Sequence, residues 1–117
     1  MYGLKGDDIL LGKGGSDRLY GQAGDDFLGG GKGNDLLEGG KGADVFKLSR
    51  GSDKIIDFNV KEGDKIAIPS KYIDKFIISS ISGNASIEVI GFGEIVVVGF
   101  DQDLTGPINA DIFIRYV

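Results

Sequence analysis

The chain has 117 residues, enough for one small domain with a thin core. It contains no cysteine and no histidine, which excludes disulfides, the usual zinc, haem and iron–sulfur ligand sets, and Ser-His or Cys-His catalysis. Eighteen acidic and 13 basic residues give a formal charge of −5, which disfavours nucleic acid and anionic membranes as partners. Cations are the natural partner of such a chain.

The chain shows no sign of a membrane-spanning segment or of a cleaved leader. Its longest apolar runs, at residues 95–98 and 112–114, are far shorter than the roughly 20 residues that a membrane helix needs. The N-terminus lacks the apolar stretch of a secretory signal peptide. If the protein leaves the cell, we expect it to use another route.

Residues 3–56 contain an ordered nine-residue repeat. From Gly3 the sequence divides into six units: GLKGDDILL, GKGGSDRLY, GQAGDDFLG, GGKGNDLLE, GGKGADVFK and LSRGSDKII. The fourth place is always glycine, in steps of nine from Gly6 to Gly51, and the eighth is always a large apolar residue. The sixth place is always aspartate: Asp8, Asp17, Asp26, Asp35, Asp44 and Asp53. This regularity excludes a random glycine-rich linker.

The pattern G-G-x-G-x-D-x-U-x resembles the RTX (repeats-in-toxin) family of calcium-binding nonapeptide repeats. The resemblance implies an all-β parallel β-roll, in which each unit is a turn plus a short strand and two units make one coil. Residues eighteen apart then stack at about 4.8 Å, so that Asp8 lies over Asp26. Each stacked carboxylate pair repels by roughly 3 kcal/mol. A hard divalent cation such as calcium reverses this repulsion and prefers an all-oxygen shell.

The resemblance also implies a ligand set for each ion, drawn from two stacked turns. The first turn gives its aspartate and the carbonyls of its second and fourth places: Leu4, Gly6, Lys13, Gly15, Gln22, Gly24, Gly31, Gly33, Gly40 and Gly42. The turn eighteen residues later gives its aspartate and the carbonyls of its first and third places: Gly21, Ala23, Gly30, Lys32, Gly39, Lys41, Leu48 and Arg50. Alternatively, the aspartates only cap turns.

The segment after the repeats, IIDFNVKEGDKIAI, looks like the roll-closing segment of the same family. Asp57 and Asp64 are its candidate ligands, although a two-residue slip moves Asp64 and Ile66 out of the nine-residue register. We therefore expect about four to six calcium ions.

The N-terminal residues also fit the nine-residue register. Projected backwards, the register gives Met1 and Tyr2 the eighth and ninth places of a preceding unit, so we interpret the chain as the C-terminal piece of a longer exported protein.

The second half is predicted to add strands near residues 76–81, 86–90 and 94–98, separated by glycine-containing turns. We expect them to continue or cap the roll and cover its edge; a β-sandwich fragment is the alternative. In the last ten residues, INADIFIRYV, Asp111 precedes a mostly apolar end. This resembles the uncleaved C-terminal signal of type I secretion substrates, and a last buried strand is the alternative.

The sequence thus predicts a calcium-binding β-roll over residues 1–66 and capping strands over residues 67–117, in one continuous unit. We expect a secreted, monomeric, non-enzymatic module that folds on calcium outside the cell, supports export of a larger parent and contacts the type I secretion machinery transiently.

Two other functions stay open. A polysaccharide- or surface-binding module needs a row of exposed aromatic or basic side chains, for which Tyr20, Lys32 and Lys41 are sparse. An enzyme needs a centre of carboxylates, lysine or tyrosine, and the regular repeat shows no irregular loop to carry one.

Overall fold

The computed structural model describes residues 1–72, 75–81, 84–98 and 113–116. Within these ranges the strands are β1 Ile9–Leu11, β2 Arg18–Tyr20, β3 Phe27–Gly29, β4 Leu36–Glu38, β5 Val45–Lys47, β6 Gly51–Ile55, β7 Lys65–Pro69, β8 Ile77–Ile81, β9 Asn84–Val89, β10 Gly93–Val97 and β11 Phe113–Tyr116. Two 3-10 turns, Val60–Glu62 and Ser70–Tyr72, flank β7.

The strands of successive units alternate between two sheets. One sheet has the order β1-β3-β5-β7-β11 and the other β2-β4-β6-β10-β9-β8. Within the repeats neighbouring strands are parallel and eighteen residues apart, as in the pairing of Leu10 with Leu28 and of Leu19 with Leu37. The predicted parallel β-roll is confirmed. Its turns form two columns at opposite edges: units 1, 3 and 5 and residues 57–64 make the odd column, and units 2, 4 and 6 the even column.

The core is built from the eighth place of each unit. Because successive side chains of a strand point to opposite faces, a three-residue strand directs only its middle side chain inward. These six side chains are at most 3% exposed: Leu10, Leu19, Leu28, Leu37, Phe46 and Ile55. They stack into a continuous apolar column between the sheets, and the same geometry places the sixth-place aspartates at the two edges.

The two extra residues after unit 6 are absorbed by the 3-10 turn Val60–Glu62. The side chain of Asn59 accepts a hydrogen bond from the Lys61 N–H at its start, and Gly63 ends it with a φ of 92°. Phe46 consequently pairs with Ile66, twenty residues later instead of eighteen. The slip therefore does not break the stack, since β7 resumes it.

The C-terminal strands extend both sheets. β10 pairs with β6 in parallel, with Ile95 opposite Asp53, while β9 and β8 add antiparallel strands beyond it. β11 pairs with β7 in parallel, with Phe113 opposite Ile66. The expectation that these strands continue the roll is confirmed. Asp111 of the predicted secretion signal lies outside the described residues.

Nothing in the described part of the chain forms a helix with the length and apolar character needed to cross a membrane.

Candidate metal centre

The turn backbone has an unusual conformation that repeats in units 1 to 5 and is kept only at the fourth place in unit 6. The fourth-place glycines have positive φ, for example 92° at Gly6 and 111° at Gly24. In units 1 to 5 the second place is also left-handed, even where it carries a side chain, with φ values of 72° at Leu4, 74° at Lys13 and 70° at Gln22. A non-glycine residue in this region costs about 1–2 kcal/mol. A strained conformation that recurs at fixed spacing indicates a backbone shaped for binding.

This conformation directs second- and fourth-place carbonyls toward the turn eighteen residues later. The backbone of Gly24 lies so close to the carbonyl oxygen of Gly6 that a Cβ on residue 24 would collide with this oxygen. Gly31 lies in the same way against the carbonyl oxygen of Lys13. These are carbonyls that the resemblance assigns to a cation, and the structure points them into the gap between stacked turns.

The sixth-place aspartates form a hydrogen-bonded ladder in each column. In units 1 to 5 the N–H of the aspartate donates to Oδ1 of the aspartate in the next turn of its column. The distances are 2.9 Å for Asp8 to Asp26, 2.7 Å for Asp17 to Asp35, 2.9 Å for Asp26 to Asp44, 3.1 Å for Asp35 to Asp53 and 2.9 Å for Asp44 to Asp64. Turn capping alone does not require this eighteen-residue stack, so the ladder favours a binding role for the aspartates.

The second carboxylate oxygen has no hydrogen-bond partner in five of these residues. The buried, unpartnered atoms are Oδ2 of Asp8, Asp17, Asp26, Asp35 and Asp44. Asp26, Asp35 and Asp44 are at most 3% exposed. Buried polar atoms are almost always satisfied, because leaving one unpaired costs about 1–3 kcal/mol. Five orphaned oxygens in one small protein therefore indicate ligand positions.

In units 1 to 3 the orphaned oxygen lies close to the first-place carbonyl of the next turn in its column. An ideal Cβ on Gly3 would lie 2.8 Å from Oδ2 of Asp8 and 2.7 Å from the carbonyl oxygen of Gly21. On Gly12 it would lie 2.6 Å from Oδ2 of Asp17 and 2.8 Å from the carbonyl oxygen of Gly30. Two oxygens from different turns thus converge on one point, as an all-oxygen cation site requires.

The site depends on backbone oxygens as well as carboxylates. Among the described residues, no group of three or more His, Cys, Asp or Glu side chains is arranged to hold a metal ion. Two aspartates and several carbonyls per gap suit calcium, which takes six to eight oxygen ligands in flexible geometry. The residues present therefore fit calcium and do not fit a nitrogen- or sulfur-seeking metal.

Four of the aspartates also have raised pKa values in the metal-free protein. Burial is the main cause, and it raises the pKa of Asp44 to about 7 and that of Asp64 to about 6, from an ordinary value of 3.8. Burial likewise raises the pKa of Asp26 and of Asp53, with nearby carboxylates adding to the effect. The cause is desolvation of the charged form together with like-charge repulsion, both of which a bound cation offsets.

Asp57 and Asp64 occupy different positions at the C-terminal end of the odd column. Asp64 joins the aspartate ladder through the hydrogen bond from the Asp44 N–H. Asp57 instead takes the first place of the next turn, and its carboxylate accepts from the N–H of Gly39 at 2.9 Å and of Gly40 at 2.7 Å. Asp57 therefore binds the turn of unit 5 through both carboxylate oxygens.

A second ladder at the fifth place was not predicted from the sequence. Oδ1 of Asp7 accepts from the Asp25 N–H at 2.8 Å, and Oδ1 of Asp25 accepts from the Ala43 N–H at 2.8 Å. In the even column Oδ1 of Asn34 accepts from the Ser52 N–H at 2.9 Å. The signal in the sequence is a short side chain with a carbonyl or carboxyl oxygen at this place in three units.

The side chains considered for a binding surface do not form one row. Lys32 belongs to the even column and Lys41 to the odd column, at opposite edges of the roll. Tyr20 stacks on Tyr2 with ring centroids 5.0 Å apart, at the first coil.

Comparisons with known proteins agree with this geometry. The family model of the RTX calcium-binding nonapeptide repeat, in four copies, matches residues 2–37 and 30–55. No curated protein sequence matches the chain.

Among solved structures, the AlgE6R3 subunit of the Azotobacter vinelandii mannuronan C5-epimerase is 28% identical with a TM-score of 0.64, covering 94% of this chain and 78% of that one. The AlgE6R2 subunit of the same epimerase is 25% identical with a TM-score of 0.64, covering 94% of this chain and 88% of that one. Residues 2–55 are therefore RTX calcium-binding nonapeptide repeats, folded as a parallel β-roll.

Proposed function

We propose that the chain is a calcium-dependent folding module that supports type I secretion and extracellular folding of a larger parent protein. The observation that carries this proposal is the set of five buried carboxylate oxygens without a partner. A small roll with this many unsatisfied, repelling carboxylates is poorly stable alone, and calcium supplies the positive charge that satisfies them.

The ligand roles in each gap are those that the resemblance to the RTX family implies. For the first gap, Oδ2 of Asp8 and the carbonyls of Leu4 and Gly6 come from unit 1, and Asp26 with the carbonyls of Gly21 and Ala23 comes from unit 3. The later gaps repeat this arrangement at intervals of nine residues. Oδ1 of each later aspartate also holds the preceding turn in place through the ladder, which fixes the spacing of the gap.

The energetics favour a switch between cytosol and exterior. With a dissociation constant of about 10⁻⁴ M, typical of extracellular calcium modules, millimolar calcium contributes roughly 1.4 kcal/mol per site. Five sites then contribute about 7 kcal/mol, comparable to the whole stability of a typical domain. At sub-micromolar calcium the contribution is close to zero. The chain is thus suited to remain extended during export and to fold outside.

In this proposal residues 1–66 form the calcium roll and residues 67–117 form the cap and carry the secretion signal, within one continuous unit. β10 and β11 support this arrangement because each pairs with a strand of the roll or its closing segment. The protein is then secreted, acts as a monomeric module and contacts the export machinery only through its C-terminal end. The repeat unit itself binds calcium and is not catalytic, so any enzymatic activity belongs to the parent.

Circular dichroism with and without calcium tests the proposal. In chelator the spectrum should be that of a largely unfolded chain, and millimolar calcium should convert it cooperatively to β structure. Magnesium should be much less effective, because its small octahedral shell fits carbonyl-rich sites poorly. A β spectrum that is unchanged by chelator would contradict the proposal.

A polysaccharide-binding module is a second candidate, favoured by the likeness to subunits of a mannuronan C5-epimerase. A groove of about 180 Å³ offers a place for an anionic sugar and is lined by Leu11, Lys13, Gly29, Gly31, Lys47 and Ser49. Calorimetric titration of the calcium-loaded protein with mannuronan oligomers tests this function. Loss of the heat of binding in the Lys13→Gln variant would locate the sugar in the groove. An absence of any heat of binding with the unchanged protein would exclude this candidate.

A further inference from the structure

The first place of the repeat differs between units 1 to 5 and unit 6. In units 1 to 5 this place is glycine, although φ there is not in the left-handed region that would require it. In each of these units an ideal Cβ would collide with Oδ2 of the unit's own aspartate. The five units with a first-place glycine are the same five whose aspartate has an orphaned Oδ2.

Unit 6 departs from this rule in three ways. Its first place is Leu48, whose side chain is fully buried in the core. Oδ2 of Asp53 is satisfied by the protein itself, because the Ser49 hydroxyl donates to it at 2.8 Å. The residue stacked next to Asp53 is Ile95 and not an aspartate. The even column therefore ends at Asp53, whose Oδ2 has a hydrogen-bond partner, whereas Oδ2 of the aspartates in the preceding turns has none.

The odd column ends in a similar way in the turn after unit 6. Its first place is Asp57, whose carboxylate is held by the N–H groups of Gly39 and Gly40. Oδ2 of Asp64 accepts from the Asn59 N–H at 2.9 Å. Both oxygens of Asp64 thus have protein partners, as do both oxygens of Asp53.

We propose that the chain binds five calcium ions, three in the odd column and two in the even column, and that Leu48 with Ser49 and Asp57 with Asn59 terminate the columns. This inference rests on the proposed calcium-binding role and adds the number of ions and what limits it. The aspartate pairs are Asp8–Asp26, Asp26–Asp44 and Asp44–Asp64 in the odd column, and Asp17–Asp35 and Asp35–Asp53 in the even column.

Native mass spectrometry of the calcium-saturated chain tests the number directly. Five ions per chain are expected. Four ions or six ions would overturn the inference while leaving the calcium role intact, whereas no bound ion would overturn the calcium role itself.

Two alanine variants in one turn test the reason for the limit. In Gly12→Ala the new Cβ would fill the space between Oδ2 of Asp17 and the carbonyl of Gly30, so four ions are expected. Gly14→Ala is the matched control, because a Cβ there meets nothing within 4 Å, and it should keep five ions. Circular dichroism in calcium verifies folding. Five ions in folded Gly12→Ala would overturn the inference, and if this variant does not fold, the count in the unchanged chain decides.

Ser49→Ala tests the even-column terminus. The hydroxyl is not a ligand in this proposal, and Leu48 still fills the first place, so the variant should retain five ions. A count of four would make the Ser49 hydroxyl a ligand, and a count of six would make it the sole barrier to a further ion; either result would overturn the proposed termination.

Discussion

Glycine is required in the turns for two separate reasons. At the fourth place it permits a positive φ, such as 109° at Gly33, which directs the carbonyl toward the next turn. At the first place φ is ordinary, and glycine is needed because a Cβ would collide with Oδ2 of the unit's own aspartate. The repeat pattern in the sequence shows that both places are glycine. It cannot show that the two glycines are needed for different reasons, because the reason at the first place depends on distances in the folded turn.

Asp26 should matter more to calcium binding than Asp8, because Asp26 faces two gaps and Asp8 only one. Asparagine preserves an oxygen that can accept the ladder hydrogen bond, so Asp26→Asn and Asp8→Asn change mainly the charge. We expect the calcium-dependent part of the unfolding free energy to fall by about 3 kcal/mol in Asp26→Asn and by about 1.4 kcal/mol in Asp8→Asn. Urea denaturation in calcium and in chelator measures both losses, and equal losses would contradict the stacking.

Protonation of the buried aspartates at acidic pH should partly replace calcium in stabilising the folded state. The folded-state pKa of Asp44 is about 7 and that of Asp64 about 6, both above the unfolded value, so folding favours their protonated forms. The resulting stability is fully present below the unfolded pKa and is lost as the pH rises through about 6 to 7. In chelator we therefore expect more β structure at about pH 5 than at about pH 8.

With calcium present, the pH dependence should reverse, because protons compete for the same carboxylates. The calcium concentration at half-saturation should rise as the pH falls from about 8 to about 5. Circular dichroism titrations at both pH values measure this shift, and a half-saturation point independent of pH would show that the raised pKa values do not belong to ligands.

Among the elements, the strands of the roll and a cap that continues it could be predicted from the sequence, but the strand pairings that join the cap to the roll could not. The eighth-place apolar residues, such as Leu28 and Phe46, specify three-residue strands because their period of nine matches a turn plus a strand. The pairing of β10 with β6 has no such repeat to reveal it. Asp64 joins the aspartate ladder because the 3-10 turn Val60–Glu62 accommodates two inserted residues. In the sequence these two residues look like an interruption of the nine-residue period.

Glu94 links the roll to the C-terminal hairpins. Its Oε1 accepts from the Ser52 hydroxyl of β6 at 2.7 Å, and its Oε2 accepts from the Ser86 hydroxyl of β9 at 2.8 Å. We expect Glu94→Ala to lower the unfolding free energy in calcium by about 1–2 kcal/mol without changing the number of bound ions.

Glu88→Ala is the control for this prediction. Glu88 is exposed and lies directly opposite Glu94 on β9, where two like charges repel. Its removal should change stability by less than about 0.5 kcal/mol or raise it slightly. Equal destabilisation by the two variants in urea denaturation would show that the serine contacts of Glu94 contribute nothing.

For the whole molecule, calcium should reverse the sign of the net charge. The formal charge is −5 without metal, and five divalent ions bring it to about +5. Four ions would give about +3. Electrophoretic mobility near neutral pH, measured in chelator and at saturating calcium, distinguishes these values, and a protein that stays anionic in calcium would have fewer than three ions bound.

The stacked rings at one end of the roll give the molecule a built-in optical probe. The chain has no tryptophan and four tyrosines, so tyrosine emission is not masked. Tyr2 and Tyr20 stack on the first coil, whereas Tyr72 packs against Phe92 in the cap, with ring centroids 4.9 Å apart. In a Tyr116→Phe background, replacement of Tyr2 and Tyr20 with phenylalanine leaves emission from Tyr72 alone. Replacement of Tyr72 instead leaves emission from the first coil alone. Stopped-flow mixing with calcium would then record separately when each end of the protein becomes ordered.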